Sequence, residues 1–360
     1  MRPLLPSMRL VNKKIKEIWN SKWLTNMGSQ HKKLEIELLN YLDVDYITLF
    51  CNGTLALELA IEALNLTGEV ITTPFTFPAT ANSLYRKKIK PIFCDIKHDD
   101  FNIDEKQIED LITPKTSGIM PVHVFGNPCE VEKIEKIASE NDLKLIYDAA
   151  HCFGVKYKNV GIGNFGDISM FSFHATKIFH TLEGGALTYN NNNELKENLN
   201  LLKNFGIKNE ENVVIAGTNA KMNELQAAVG LLNLELVADE INKRKTLTNI
   251  YKENLKDVKG IIYLDEKRDV EYNYQYFPIL IDKNEFSFNR DQLLNYLREY
   301  NIFARKYFYP LCPDYAFFKK YNNPHLPIAT KISNQILCLP LYGELTQDEI
   351  NKICEILINI

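Results

Sequence analysis

The chain has 360 residues, with 42 Lys and Arg against 46 Asp and Glu, a formal charge of −4 and seven cysteines. Charges of both signs are interspersed, which excludes a nucleic-acid footprint or an anionic-membrane face, and no apolar run is long enough to span a bilayer. The length predicts two domains; an odd cysteine set without CxxC spacing predicts reduced thiols, and Met1 to Pro6 lacks a signal-peptide core, so a cytoplasmic protein is expected.

From Tyr46 to Asn190 short β-rich runs alternate with helical patterns, the signature of an α/β fold with a mostly parallel sheet flanked by helices. Tyr46 to Cys51 reads as the first strand. It runs into Asn52-Gly53-Thr54 and a helical period at Leu57, Ile61 and Leu64. Strand, small polar residues and helix start together make a phosphate cradle, since first-turn N–H groups and the positive end of the helix dipole face an anion. The same residues also suit an ordinary helix cap. Strands are expected next at Glu69 to Thr73, Pro91 to Cys94 and Ser117 to His123, with a surface helix over Glu130 to Glu140.

Lys144 to Asp148 is a short apolar strand ending in an acid, at the edge where open α/β sheets place their ligands. Asp148 there can pair with a pyridinium nitrogen, which a pyridoxal phosphate (PLP) enzyme requires, or it can cap a helix starting at Ala149. His151-Cys152 lies beside it, but no second cluster with ligand spacing completes a metal site, and His98 and His123 sit in separate segments; no metal is expected. Cys51, Cys94, Cys152 and Cys338 read as small core residues. Asp167 to Phe173 is the next strand. It leads to His174-Ala175-Thr176-Lys177 and the paired-glycine turn Glu183-Gly184-Gly185-Ala186. A lysine held on such an edge suits a Schiff-base role if burial lowers its pKa; the competing reading is a solvated charge. Ser172 can add a hydroxyl to the phosphate cradle. Ala186 to Tyr189 is the last strand of the series, and Asn190 to Asn193 a solvated turn.

Asn223 to Glu240 reads as one long helix, with Leu225, Val229, Leu232 and Leu236 as an apolar stripe for the core or a subunit interface. The character changes at Lys243-Arg244-Lys245. A strand at Phe277 to Ile281 and a helix at Asp291 to Tyr300 predict a smaller C-terminal α+β domain. The boundary is placed near Asp239, giving 1–238 and 239–360.

Several motifs occur in one order: Trp23-Leu24-Thr25-Asn26, Asn52-Gly53-Thr54, Thr73 to Thr80, Asp148-Ala149-Ala150-His151, the lysine motif and Met222 to Ala228. In this the chain resembles the DegT/DnrJ/EryC1/StrS sugar aminotransferases, PLP enzymes of fold type I, over almost its whole length. Met120 to Pro128 and His174 to Lys177 most resemble the branch that forms dTDP-4-amino-4,6-dideoxy-D-glucose. The resemblance implies that Lys177 anchors PLP and carries the proton, Asp148 holds the ring nitrogen protonated and His151 sits by the ring's 3-oxygen. It further implies that Phe77 stacks on the ring and that Gly53, Thr54 and Ser172 bind the phosphate with Asn219 from a neighbouring subunit. A homodimer with shared sites, L-glutamate as donor leaving as 2-oxoglutarate, and a nucleotide-linked keto sugar destined for surface polysaccharide (O-antigen) follow in the same way.

Asn52 stands where serine is common and Lys221 where arginine is common; a lysine there is a point charge and not a fork. Tyr307-Phe308-Tyr309-Pro310 lines the sugar pocket or packs between domains. A dinucleotide oxidoreductase is disfavoured because no G-x-G-x-x-G follows the first strand. The other rival class is a sugar dehydratase, disfavoured because that branch replaces the lysine with histidine, or a non-catalytic regulator, disfavoured because every chemical position is filled. UDP- or GDP-linked substrates and amination at C3 remain alternatives, because function lies in pocket detail.

Overall fold

A computed structural model describes residues 2–190, 192–321 and 325–360. Seven strands form the main sheet: β1 (Tyr46–Phe50), β2 (Glu69–Thr72), β3 (Lys90–Phe93), β4 (Thr116–Met120), β5 (Lys144–Asp148), β6 (Ile168–Ser172) and β7 (Gly185–Tyr189). Their order is β1-β7-β6-β5-β4-β2-β3. Pairings from β3 to β6 are all parallel, whereas β7 runs antiparallel to both β6 and β1.

Side chains of these strands alternate between two buried clusters. Leu49, Ile71, Ile119, Leu145 and Phe171 pack on one face, and Phe50, Val70, Met120, Ile146 and Met170 on the other. Both faces are covered by helices: α1 (Met8–Ser21), α2 (Ser29–Leu42), α3 (Gly53–Ala63), α4 (Pro78–Arg86), α5 (Val131–Glu140), α6 (Asn193–Leu202) and α7 (Glu224–Leu234). Asn192 caps α6, its side chain accepting the Leu195 N–H at 2.9 Å; Asn191, inside the expected turn, lies outside the described residues.

The single helix expected over Asn223 to Glu240 is two. The N–H of Leu236 reaches back only three residues, to Asn233 O at 2.9 Å, which closes α7 before α8 (Val237–Leu255) begins. The expected stripe is also rotated. Buried Glu224 accepts the Gln30 and His31 N–H groups at 2.8 and 2.9 Å, capping the otherwise uncapped first turn of α2. That contact turns Ala227, Ala228 and Leu231 inward and leaves Leu225 39% exposed.

The C-terminal region adds an antiparallel sheet of β8 (Ile261–Tyr263), β9 (Phe277–Ile281) and β10 (Ile336–Leu339), in the order β8-β9-β10. With α8, α9 (Arg290–Glu299) and α11 (Gln347–Ile358) it encloses a separate core of Leu247, Tyr251, Ile279, Leu293, Leu337 and Ile353, while α10 (Pro327–Gln335) buries Ala329 and Ile332 elsewhere. A further cluster joins Phe75, Phe101 and Phe125 from the main sheet's loops to Phe308, Leu280 and Cys338. The two regions therefore meet over apolar packing beside the carboxyl ends of β2, β3 and β4, on the sheet edge where β1, β5 and β6 also end. All seven cysteines are free thiols, and Cys51 alone among them is only partly buried. No helix among the described residues is long and apolar enough to cross a membrane.

Candidate active site

A cleft of about 340 Å³ opens at this strand edge. Gly53, Thr54, Phe77, Asp148, His151, Ser172 and Lys177 all line it, so seven of the eight residues singled out from the sequence converge. Asn219 does not. It is exposed, its side-chain oxygen accepts from Lys221 Nζ at 2.8 Å, and its backbone pairs with Asn204.

The cradle forms because β1 stops where α3 begins. Asn52 is the N-cap, its Oδ1 accepting the Leu55 N–H at 2.8 Å. The N–H groups of Gly53 and Thr54 lie ahead of the first intrahelical bond and are left for a ligand. Gly185 lets β7 press against this turn: a Cβ there would stand 2.7 Å from Gly53 N and Cα. Ser172, at the end of β6, adds its hydroxyl to the same wall.

Asp148 ends β5 at 4% exposure. Its Oδ1 accepts the Ala150 N–H at 3.1 Å and its Oδ2 the Thr80 hydroxyl at 2.7 Å, while Thr80 also pairs with Thr76 at 3.0 Å. Burial raises its pKa, opposed by these two hydrogen bonds and by the Lys177 charge. Such a carboxylate gains from a cation placed against it.

His151 is held neutral by burial, with the Lys177 charge acting in the same direction. Its Nδ1 accepts the Phe125 N–H at 3.2 Å, so the ring proton belongs on Nε2, where it can serve an oxyanion. Phe125 supplies that N–H from a left-handed backbone, φ +57°. Phe308 stacks parallel to the imidazole, centroids 5.9 Å apart, and Tyr276 meets it edge-on at 5.0 Å. Phe308 thus both lines the cleft and packs between the regions, whereas Tyr309, under Arg290, is 47% exposed.

Lys177 sits in the turn between β6 and β7, its Nζ 6.0 Å from the Tyr276 ring centroid. Burial pushes its pKa down to about 8 against the raising charges of Asp148 and Cys152. The neutral amine is therefore populated much nearer neutral pH than that of an ordinary lysine. Gln275 brackets it: the Ile178 N–H donates to Gln275 Oε1 at 2.7 Å, and Gln275 Nε2 donates to Thr176 O at 3.1 Å. Asn273 likewise holds the carbonyls of His151 and Phe153 at 2.8 and 3.0 Å. Sequence reasoning assigned no role to Thr80, Asn273, Gln275, Tyr276 or Arg305; Thr80 alone carried a signal, as part of the Thr73 to Thr80 motif.

The donor set fits pyridoxal phosphate: an anion cradle, a buried acid for the ring nitrogen, a neutral imidazole donor, an aromatic wall at Phe77 and one amine of lowered pKa. Comparison with known proteins agrees. The dTDP-4-amino-4,6-dideoxy-D-glucose transaminase of Shigella dysenteriae is 44% identical over 348 residues, 96% of this chain and 94% of the relative. That of Escherichia coli is 42% identical, covering 99% and 97%. The structure of DesI in the presence of its TDP-sugar product superposes with a TM-score of 0.95 at 32% identity, over 99% of this chain and 91% of that one. Residues 9–358 match one family along nearly the full length, and the chain belongs to the PLP-dependent DegT/DnrJ/EryC1/StrS aminotransferase family.

Proposed function

We propose that the protein transfers the amino group of L-glutamate to dTDP-4-keto-6-deoxy-D-glucose, giving dTDP-4-amino-4,6-dideoxy-D-glucose and 2-oxoglutarate. The observation that carries this reading is the full-length likeness to two transaminases named for that product, at 44% and 42% identity. We place residues 1–238 as the cofactor-binding domain and 239–360 as the smaller one.

Pyridoxal phosphate, when bound, supplies an electron sink for negative charge at the carbon that carries the transferred amine. Gly53, Thr54 and Ser172 bind its phosphate through N–H and hydroxyl donors, joined by Asn219 of the partner subunit in an isologous dimer. Asp148 keeps a proton on the ring nitrogen, where its buried carboxylate finds the cation it lacks. His151 donates from Nε2 to the ring's 3-oxygen. Phe77 covers one ring face. Lys177 would be the cofactor's covalent anchor, and its free amine would take a proton from and return one to the substrate carbon. Its lowered pKa suits both tasks, since a neutral amine attacks and an ammonium returns the proton.

Interspersed charge and the lack of a spanning helix among the described residues support a cytoplasmic setting. The product is a building block for surface polysaccharide of the O-antigen type. A screen of dTDP-, UDP- and GDP-linked 4-keto sugars with L-glutamate tests the reading. Glutamate-dependent conversion strongest with the dTDP sugar is expected, and conversion confined to a UDP or GDP sugar overturns it.

A further inference from the structure

Glu240, Arg244 and Gln275 stand behind Lys177, and none of them lines the cleft. Glu240 and Arg244 lie one turn apart on α8 at 5% and 1% exposure, and Arg244 Nε donates to Glu240 Oε1 at 2.6 Å. The same oxygen accepts the Gly343 N–H at 2.9 Å, and a Cβ at Gly343 would stand 2.0 Å from Glu240 Oε2, so the backbone closes over the carboxylate. The guanidinium has a second partner: Arg244 Nη1 donates to Gln275 O at 3.4 Å.

Gln275 is buried and lies outside any strand, just before β9, so its peptide groups depend on side chains. Asn273 Oδ1 accepts its N–H at 3.1 Å, and Arg244 takes its carbonyl. Its own side chain spans the lysine, accepting the Ile178 N–H at 2.7 Å and donating to Thr176 O at 3.1 Å. A continuous run of buried polar contacts therefore leads from α8 to the peptide groups on both sides of Lys177.

Stability alone does not account for such a run. Exchanging a buried ion pair for apolar residues of similar volume is often neutral or stabilising, because desolvating two charges offsets their attraction. What the pair adds is direction, since the carboxylate orients a planar fork whose remaining N–H meets one carbonyl. An anchoring amine that is released and recaptured in each cycle needs a main chain that stays in place while the side chain moves, because small misplacements at a reacting centre cost large factors in rate.

We infer that Arg244, held by Glu240, is a positioning residue for the reaction: through Gln275 it fixes the main chain on both sides of Lys177 and so keeps the amine in its buried place. This rests on Lys177 as the anchor and is independent of which sugar is aminated.

The test follows capture of pyridoxal phosphate by the cofactor-free protein against pH, by absorbance and borohydride trapping, in wild type, Lys177→Ala, Gln275→Met, Arg244→Lys and the double variant Glu240→Gln with Arg244→Met. The double variant leaves no unpaired buried charge and keeps an acceptor for the Gly343 N–H, and Arg244→Lys keeps a charge beside Glu240 while losing the fork. Thermal unfolding confirms that each is folded. Pyridoxine 5′-phosphate, which fills the cradle but has no aldehyde for an amine to attack, is titrated by calorimetry into the same proteins. Freed from its bracket, the Lys177 amine gains water, which favours the ammonium, while Asp148, His151, Cys152 and Tyr276 still surround it. The capture midpoint should rise by about half a pH unit or more in the three Arg244 and Gln275 variants, which is about threefold slower capture below the midpoint, with pyridoxine phosphate affinity unchanged. A wild-type midpoint in Arg244→Lys and the double variant overturns the inference, as does an equal loss of pyridoxine phosphate affinity, which would make the pair a support for the whole cleft. Capture that survives in Lys177→Ala overturns the anchor and the inference together, whereas capture lost in Lys177→Ala but unaltered in the Arg244 variants overturns the inference alone.

Discussion

Thr80 donates its hydroxyl hydrogen to Asp148 Oδ2 at 2.7 Å, fixing the orientation of the carboxylate at the foot of the cleft. Burial raises the pKa of Asp148 and Thr80 opposes that rise. Thr80→Val keeps the shape and removes the opposing hydrogen bond, so Asp148 should protonate more readily. A hydrogen bond to a charged group is worth about 1.5–3 kcal/mol, and the acid limb of the pH–rate profile should move up by about one pH unit or more. An unmoved limb would show that Thr80 is only packing.

The lowered pKa of Lys177 makes a second prediction. Burial disfavours its ammonium, so the neutral amine is populated above about 8 and not only above the ordinary lysine value of 10.5. Capture of added pyridoxal phosphate by the cofactor-free protein should accelerate as pH rises through about 8 and then level. Lys177→Ala should lose the visible absorbance that borohydride abolishes, and turnover with it. Near-normal transamination by that variant would refute the assignment.

Much of this site is legible in the chain because its parts are local. Asn52-Gly53-Thr54 and Asp148 sit where a strand ends and Lys177 in the turn after one, and short apolar runs mark these strands; the expected strand at Lys144 to Asp148 matches β5 without adjustment, whereas the one expected over Ser117 to His123 ends at Met120. Gln275 and Arg305 were silent for the opposite reason. Gln275 reaches Thr176 across 99 positions, and its segment carries neither helical nor strand periodicity. Thr80 lies in a quoted motif, yet its partner is 68 residues away. The break between α7 and α8 escaped notice because Asn233 ends the helix without glycine or proline, and the tilt of the stripe follows from Glu224 capping a distant helix.

His31 gives the third prediction, on stability. It is fully buried with neither ring nitrogen hydrogen-bonded, Glu35 Oε2 standing 3.7 Å from Nδ1, and burial, followed by the Lys203 and Lys32 charges, pushes its pKa down to about 3. The unfolded chain takes up this proton near pH 6.5, whereas the folded protein refuses it until about pH 3. Its contribution is therefore fully present above pH 6.5 and is lost as pH falls, about 2 kcal/mol by pH 5. His31→Leu should shift the acid-unfolding midpoint to lower pH while leaving stability at neutral pH within about 1 kcal/mol. An acid midpoint identical to wild type would contradict the linkage.

Asn219 supplies the fourth. It is exposed and does not line its own chain's cleft, as a residue serving a partner's phosphate would not. Mixing Lys177→Ala subunits with subunits crippled at Asn219 places both defects in one site of each heterodimer and leaves the other site intact. Activity should rise well above either parent, toward half of wild type in the purified heterodimer. Tag capture confirms subunit exchange, and no recovery after confirmed exchange would place Asn219 in its own chain's site.

The most direct test of the central claim is the NMR spectrum of the product formed from dTDP-4-keto-6-deoxy-D-glucose and L-glutamate by the pyridoxal phosphate-loaded protein. The account predicts an equatorial amine at C4 of the hexose, formed in step with 2-oxoglutarate. An amine at C3, or an unchanged keto sugar under conditions where a UDP- or GDP-linked sugar is converted, would contradict it.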